Sequence, residues 1–419
     1  MTKSVLFNLQ FIQSKKWAVY HGGSENDFTV LLSVLKYIGN DPDWHVYGYY
    51  LPDKSFVHDI QSLLATYSNF TLITGKELQD LSVNTVFQGI YSSDLMGLEW
   101  LQKYNLKSVL SLIVIHGIRR YELQVYLHDL LLPNRPRDKV FIIKNYFVRW
   151  WMKKNIEKQH QKLISQRPEH VHLVATSQDT KNKILVMCPQ LKNNDIHTLY
   201  TSQKTPCPSS IPFQIEEEQR ILKKFNLVPY KYFLLVSLGR LEKNIYFALN
   251  HLHQTCMKHN IPFETIACGE TKRNFLVDRL KKKAHIIVTG YVPEKELRVL
   301  YKYAYLFIYP TRSEGFGMPI LEAMEHGTPV LCTALSPLIE VGGEAAEYFG
   351  LGNSLEFCSK IIKFYRDPGF YEEKRKLAIA RYQQLSKIQL THLEEKTSLI
   401  LDNSYNQERE RILERTMIC

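Results

Sequence analysis

The 419-residue sequence has no Cys-x-x-Cys pair, no G-x-G-x-x-G fingerprint, no metal-ligand cluster and no low-complexity tract or internal repeat. Its seven cysteines, at 188, 207, 256, 268, 332, 358 and 419, are scattered. That scatter excludes a disulfide framework or a zinc site and reads as reduced core thiols. No apolar run approaches the length needed to span a bilayer; Val109-Leu-Ser-Leu-Ile-Val-Ile115 is strand-sized. Near the start, Val5-Leu-Phe7 lies in polar sequence without a secretory h-region. The expectation is a cytoplasmic protein, free or peripheral on the inner face of a membrane. Without the dinucleotide fingerprint, a dehydrogenase is disfavoured. Asp41-Pro-Asp43 superficially looks like a metal motif, but its proline-bracketed acids before a strand read as a turn, and no metal is expected.

What is present is an alternation of strand-like and helix-like runs. Val5–Leu9, Trp44–Tyr50, Thr85–Tyr91, Ser108–Ile115 and His170–Ala175 read as strands, with helical patterns such as Asp27–Ile38 between them. The Pro/Ser-rich stretch from Ser202 to Pro212 breaks the pattern. The alternation then resumes with Tyr232–Leu238, Ile245–Lys258, Phe263–Ala267, Ile286–Thr289 and Ala304–Tyr309. The fold class is therefore α/β: two doubly wound, Rossmann-like domains with a cleft between them. Their expected bounds are 1–205 and 215–386, joined by a linker at 206–214, with 387–419 a helix and tail.

The formal charge of +11 is uneven. Arg135 to Arg167 carries ten basic residues against Asp138 and Glu157, a net +8. Ile142-Ile143, Tyr146-Phe147 and Trp150-Trp151 repeat every fourth residue through it, which on a helix makes an aromatic ridge flanked by cations. A core-facing ridge is the first reading, and a segment lying on an anionic membrane surface is the second. No nucleic-acid module accompanies the charge, and no nucleic-acid partner is expected.

Chemistry concentrates at predicted strand ends. In Glu314-Gly315-Phe316-Gly317-Met318-Pro319-Ile-Leu-Glu322, a strand leads into a loop and a helix whose first turn holds Pro319 and whose stop is Gly327. Two glycines before a helix N-terminus suit a phosphate, and a carboxylate can accept from vicinal sugar hydroxyls. Gly239-Arg240-Leu-Glu-Lys243 follows another strand, where Arg240 and Lys243 could hold a diphosphate. Gly22-Gly23 sits in the first strand–helix connection, open to close ligand approach. His116 ends the 108–115 strand, placed to bond a sugar hydroxyl or stabilise developing charge.

Together these motifs resemble the family-four retaining glycosyltransferases of GT-B fold, over nearly the whole chain. Glu314 to Glu322 is similar to the family's E-x7-E signature, Gly239 to Asn244 to its phosphate-binding strand end, and Gly290-Tyr291-Val292-Pro293 to its base-reading turn. The resemblance implies a nucleotide-sugar donor, a glycan or lipid-linked acceptor, no cofactor and no metal. It implies that Arg240 and Lys243 hold the donor diphosphate and Glu322 the ribose. Glu314, with the amides around Phe316 and Gly317, would hold the sugar, and His116 would face its reacting side. The Arg240-to-Lys243 spacing is shorter than the family's usual one. It implies, too, a C-terminal helix crossing back to the first domain. The implied activity is hexosyl transfer from GDP-mannose or UDP-glucose in surface polysaccharide synthesis. Alternatives are a GT-B sugar phosphorylase, an NDP-sugar epimerase, or an inactive GT-B scaffold serving as a basic adaptor.

Overall fold

The computed structural model of the chain describes residues 2–14, 22–56, 59–118, 129–130, 136–202, 215–269 and 285–401. The expected linker at 206–214, His21, Arg119, Arg135, Cys207, Cys419 and the 402–419 tail lie outside the described residues. The chain divides into two compact units. One holds residues 1–118, 157–205 and 386–419, the other 119–156 and 206–385.

The first unit is built on a seven-stranded parallel sheet. Its strands are β1 (Lys3–Asn8), β2 (Trp44–Tyr49), β3 (Phe70–Ile73), β4 (Val86–Ser93), β5 (Lys107–Ile115), β6 (Val171–Ala175) and β7 (Ile196–Thr198). They lie side by side in the order β3-β2-β1-β4-β5-β6-β7. Central strands buried on both faces read as continuous apolar runs, as in Leu110, Leu112, Ile113, Val114 and Ile115 of β5. Between β1 and β4 the strand order reverses, opening a crevice at their carboxyl ends. Asp41 is part of a turn, its side chain accepting from the Asp43 amide at 2.9 Å.

The second unit repeats the plan with six parallel strands: β8 (Tyr232–Leu235), β9 (Glu264–Ala267), β10 (Ile286–Val288), β11 (Leu306–Tyr309), β12 (Val330–Thr333) and β13 (Ala346–Phe349). The order is β10-β9-β8-β11-β12-β13, so the reversal falls between β8 and β11. Past the carboxyl ends of these two strands come the Arg240 turn and the Glu314 loop.

The final described helix, Pro368–Leu401, supplies residues up to 385 to the second unit and residues from 386 to the first. Leu399, Ile400 and Leu401 join the first unit's core with Val5, Phe7, Val30 and Val114. Gly89 makes this docking possible, because a Cβ there would fall 2.0 Å from the Ile400 carbonyl oxygen.

Two expectations need correction. Gly22 and Gly23 are not loop residues, since the first helix runs Gly22–Ile38 and begins with them. The core-facing ridge is only half right. In the helix Pro136–Ser165, Ile142 is buried against Leu130, Phe141, Leu241 and Tyr246, whereas Phe147, Trp150 and Trp151 are 58%, 49% and 62% exposed. Adjacent residues on a helix point about 100° apart. A ridge of adjacent pairs is therefore broad, and only one of its edges meets a core.

Candidate functional site

In the second unit, β11 is fully buried and ends at Tyr309, and the chain turns through Thr311, Ser313, Glu314 and Phe316, all buried. Gly317 adopts φ 117°, a left-handed conformation open to glycine, and caps the helix Met318–Glu325, with Pro319 in its first turn. A Cβ at Gly317 would also meet Leu338 at 2.8 Å. The helix stops before Gly327, itself at φ 67°. Its first-turn N–H groups and dipole thus face the loop that carries Gly315 and Phe316. Glu322 is half-buried one turn in, beside Tyr301, whose hydroxyl is pushed well above its ordinary range by burial and by that carboxylate. At the other end, burial with Arg298 and Lys302 nearby lowers His326 to about 4, so its imidazole is neutral at physiological pH.

The Arg240 turn is fastened to this loop. Lys243 is 2% exposed, and its Nζ donates to Glu314 Oε2 and to the Tyr309 hydroxyl, each at 2.5 Å. The Tyr309 hydroxyl in turn donates to Glu314 Oε2 at 2.6 Å. A buried carboxylate is thereby paired and held in one orientation. Lys243, expected at a diphosphate, pairs with Glu314, while Arg240 is half-buried with its carbonyl accepting from the Lys243 amide at 3.1 Å. Arg312 adds a second tie that sequence reasoning missed. Its amide donates to the Glu242 carbonyl at 2.7 Å and its Nη2 to Asn244 Oδ1 at 2.8 Å. Its guanidinium also grips Asp129 through two bonds of 2.7 and 2.8 Å. Both partners are buried, and Asn244 is held at φ 54° as the hinge between turn and helix. Tyr291 is exposed and Val292 buried; the Gly290 carbonyl accepts from the Gly269 amide at 3.1 Å.

In the first unit, His116 follows β5 directly, at a carboxyl edge. Its ring lies on Gly23, where a Cβ would come within 3.1 Å of Cδ2 and 3.3 Å of Cγ. This close approach, not a turn, is what Gly23 serves. Nε2 of His116 stands 3.1 Å from Asp27 Oδ1 and 3.1 Å from Ser93 Oγ. Asp27 Oδ1 also accepts from the Tyr91 hydroxyl at 2.7 Å and from Ser93 Oγ at 2.5 Å. Asn26 continues the network to Tyr91 and to the Ser202 amide, and Lys396 from the last helix donates to Asn26 Oδ1, the Tyr200 carbonyl and Ser202 Oγ. Asp27 gave no signal in the sequence, because its partners lie 64 to 89 residues away. Among the described residues, no group of three or more His, Cys, Asp or Glu could hold a metal ion.

Residues 218–384 match the model of the family described as glycosyl transferases group 1. The curated protein "O-antigen chain mannosyltransferase B" of Escherichia coli is 27% identical over 231 residues, which are 54% of this chain and 60% of that protein. "O-antigen chain mannosyltransferase RfbU" of Salmonella typhimurium is 33% identical over 142 residues, 33% of this chain and 39% of that one. The matches therefore span less than two thirds of these relatives' lengths. Among solved structures, Anabaena Alr3699/HepE in complex with UDP-glucose aligns with a TM-score of 0.64 at 14% identity, covering 94% of this chain and 99% of that one. WaaG, a glycosyltransferase involved in lipopolysaccharide biosynthesis, aligns with a TM-score of 0.59 at 13% identity over 94% and 99%. At these identities the likeness is one of fold: two parallel sheets with helices, as in GT-B proteins.

Proposed function

We propose, on the premise that this chain belongs through residues 218–384 to the group 1 glycosyl transferases, that it moves a mannosyl group from GDP-mannose to a growing surface glycan or its lipid-linked precursor. The observation that carries the reading is the fastening of Lys243 and Glu314 beside the glycine-capped N-terminus of the Glu322 helix. It puts cations, helix-start amides and two carboxylates of different setting around one strand-end crevice. The two O-antigen mannosyltransferase relatives point to mannose as the sugar.

In this reading the C1–O bond to the diphosphate breaks, a C1–O bond to the acceptor forms, and the acceptor proton leaves with the nucleoside diphosphate or to solvent. Negative charge grows on the departing diphosphate, and Arg240, the Gly315–Met318 amides and the helix dipole oppose it. Lys243 adds its charge while holding Glu314 for the hexose hydroxyls. Glu322 takes the ribose, the Tyr291-Val292 backbone the base, and His116 the transferred hexose with Gly22 and Gly23 beneath it. Transfer with retention and without a metal belongs to the same proposal.

The test is a thermal-shift screen of GDP-mannose, UDP-glucose and UDP-N-acetylglucosamine, followed by a transfer assay with the best binder. A ligand at 100 times its Kd stabilises the native state by about 2.7 kcal/mol. GDP-mannose should give the largest rise. A response to UDP-sugars alone reassigns the donor, and no response to any nucleotide sugar refutes the reading.

A second observation bears on the setting. Ile143, Phe147, Trp150 and Trp151 form an exposed apolar face on the basic Pro136–Ser165 helix. Its charge complements an anionic lipid surface, with Trp at headgroup depth. Replacing Trp150 and Trp151 by Ser should release the protein from phosphatidylglycerol-containing vesicles. Failure of the unsubstituted protein to bind them removes the membrane reading.

A further inference from the structure

The first unit holds a buried polar network around a residue that no motif marks. Asp27 is 4% exposed and stands by the carboxyl ends of β4 and β5, next to the point where the strand order reverses. Three elements meet on its Oδ1: Tyr91 and Ser93 from β4, His116 beyond β5, and Asp27 itself from the first helix.

The donor inventory around His116 Nε2 fixes where the ring proton lies. Tyr91 accepts from Asn26 Nδ2 at 3.1 Å and spends its own proton on Asp27; burial and the Asp27 charge keep that hydroxyl protonated. Ser93 has one proton and places it on Asp27 at 2.5 Å, leaving a lone pair toward Nε2. A carboxylate offers only acceptors. Nε2 therefore faces acceptors alone, and the ring satisfies them by carrying its hydrogen there. Nδ1 is buried and has no hydrogen-bond partner among the described residues.

We propose that Asp27 is the positioning residue of His116, locking the ring over Gly23 and committing the Nε2 proton to the protein. The uncommitted nitrogen, Nδ1, is then an acceptor in the neutral ring. Any group that comes to it must be a donor, as a sugar hydroxyl is and a phosphate oxygen is not. This goes beyond the proposed transferase reading by naming what His116 accepts, and it rests on that reading for the identity of the ligand.

Two readouts separate the claims. Proton–nitrogen correlation spectra of the 15N-histidine-labelled full chain, with His116 assigned through His116→Gln, read the tautomer without any substrate. The unsubstituted protein should show Nε2–H in its neutral ring, and Asp27→Asn, whose amide can donate to Nε2, should shift the ring toward Nδ1–H. Nδ1–H in the unsubstituted protein overturns the inference even if the variant does not fold. In the transfer assay Asp27→Asn should lower donor kcat/KM by about tenfold, the worth of one hydrogen bond to the transferred sugar. Unchanged kcat/KM against an active parent overturns the inference alone. A parent inactive with every nucleotide sugar, but showing Nε2–H, refutes the transferase reading and leaves the positioning of His116 standing.

Discussion

Replacing Arg312 by Met should destabilise the second unit by about 3–5 kcal/mol, because it strips the guanidinium from a carboxylate that has little access to water. Asp129 is 1% exposed, and the two bonds of 2.7 and 2.8 Å are arranged as a bidentate fork. At an effective dielectric of 20, unit charges about 4 Å apart attract by about 4 kcal/mol, which sets the scale of the loss. Asp129→Leu should cost a similar amount, since it leaves the guanidinium in the same dry place. The double variant should not cost the sum. With both charges gone and apolar volume restored, the net change should fall to about 0–2 kcal/mol, because buried pairs roughly break even against packed hydrophobes. Urea unfolding of the full chain, fitted for the four members of the cycle, measures the coupling. Nucleotide titration of the double variant reads the second job of Arg312, which also ties Glu242 and Asn244 to the Glu314 loop. Stability losses that simply add would refute the account of Asp129 and Arg312 as one fastening.

Gly89→Val should dislodge the end of the last helix, since even a Cβ would overlap the Ile400 carbonyl. Overpacking of that kind costs about 1–3 kcal/mol, and hydrogen exchange at residues 396–401 should rise; unaltered exchange would contradict the docking. Burial lowers Lys396 from its ordinary 10.5 to about 7, against the opposing pull of Asp27 and Glu395. Between those values the unfolded chain binds more protons than the folded one, so this group adds stability as pH rises from about 7, by up to about 1.4 kcal/mol per unit. Below about 7 both states are protonated and its contribution is flat. Lys396→Met should remove that rise from thermal melts taken across alkaline pH, and an identical pH slope in the variant would refute it.

How far the sequence disclosed this depends on the reach of each interaction. Glu314, Gly317, Pro319 and Glu322 are close neighbours in the chain, so local chemistry alone placed them on a loop and helix start. Apolar runs such as Ser108–Ile115 were legible as strands, and so was the three-residue β10 at Ile286–Val288. Phe70–Ile73 and Ile196–Thr198 were not, because Thr71 and His197 interrupt their short apolar runs. Gly22 and Gly23 read as loop because glycine is a poor helix former. The helix starts there nonetheless, since the His116 ring needs the missing side chain. Asp27 and Arg312 escaped for a different reason. Each acts on a partner far along the chain, up to 183 residues in the case of Arg312, and nothing local distinguishes them from a solvated charge. Lys243 was placed at the right strand end and assigned to a diphosphate; its pairing with Glu314 was not legible, because it depends on how two strand-end loops come together.

The central claim is that the Glu314–Glu322 loop and helix bind the nucleotide of a sugar donor. Isothermal calorimetry of GDP and GDP-mannose against the full chain and its Glu322→Ala variant decides it. Saturable binding to the unsubstituted protein is expected, with a loss of at least about tenfold in the variant, as removal of a charge-assisted hydrogen bond of about 1.5–3 kcal/mol requires. Equal affinity in the two proteins would contradict it.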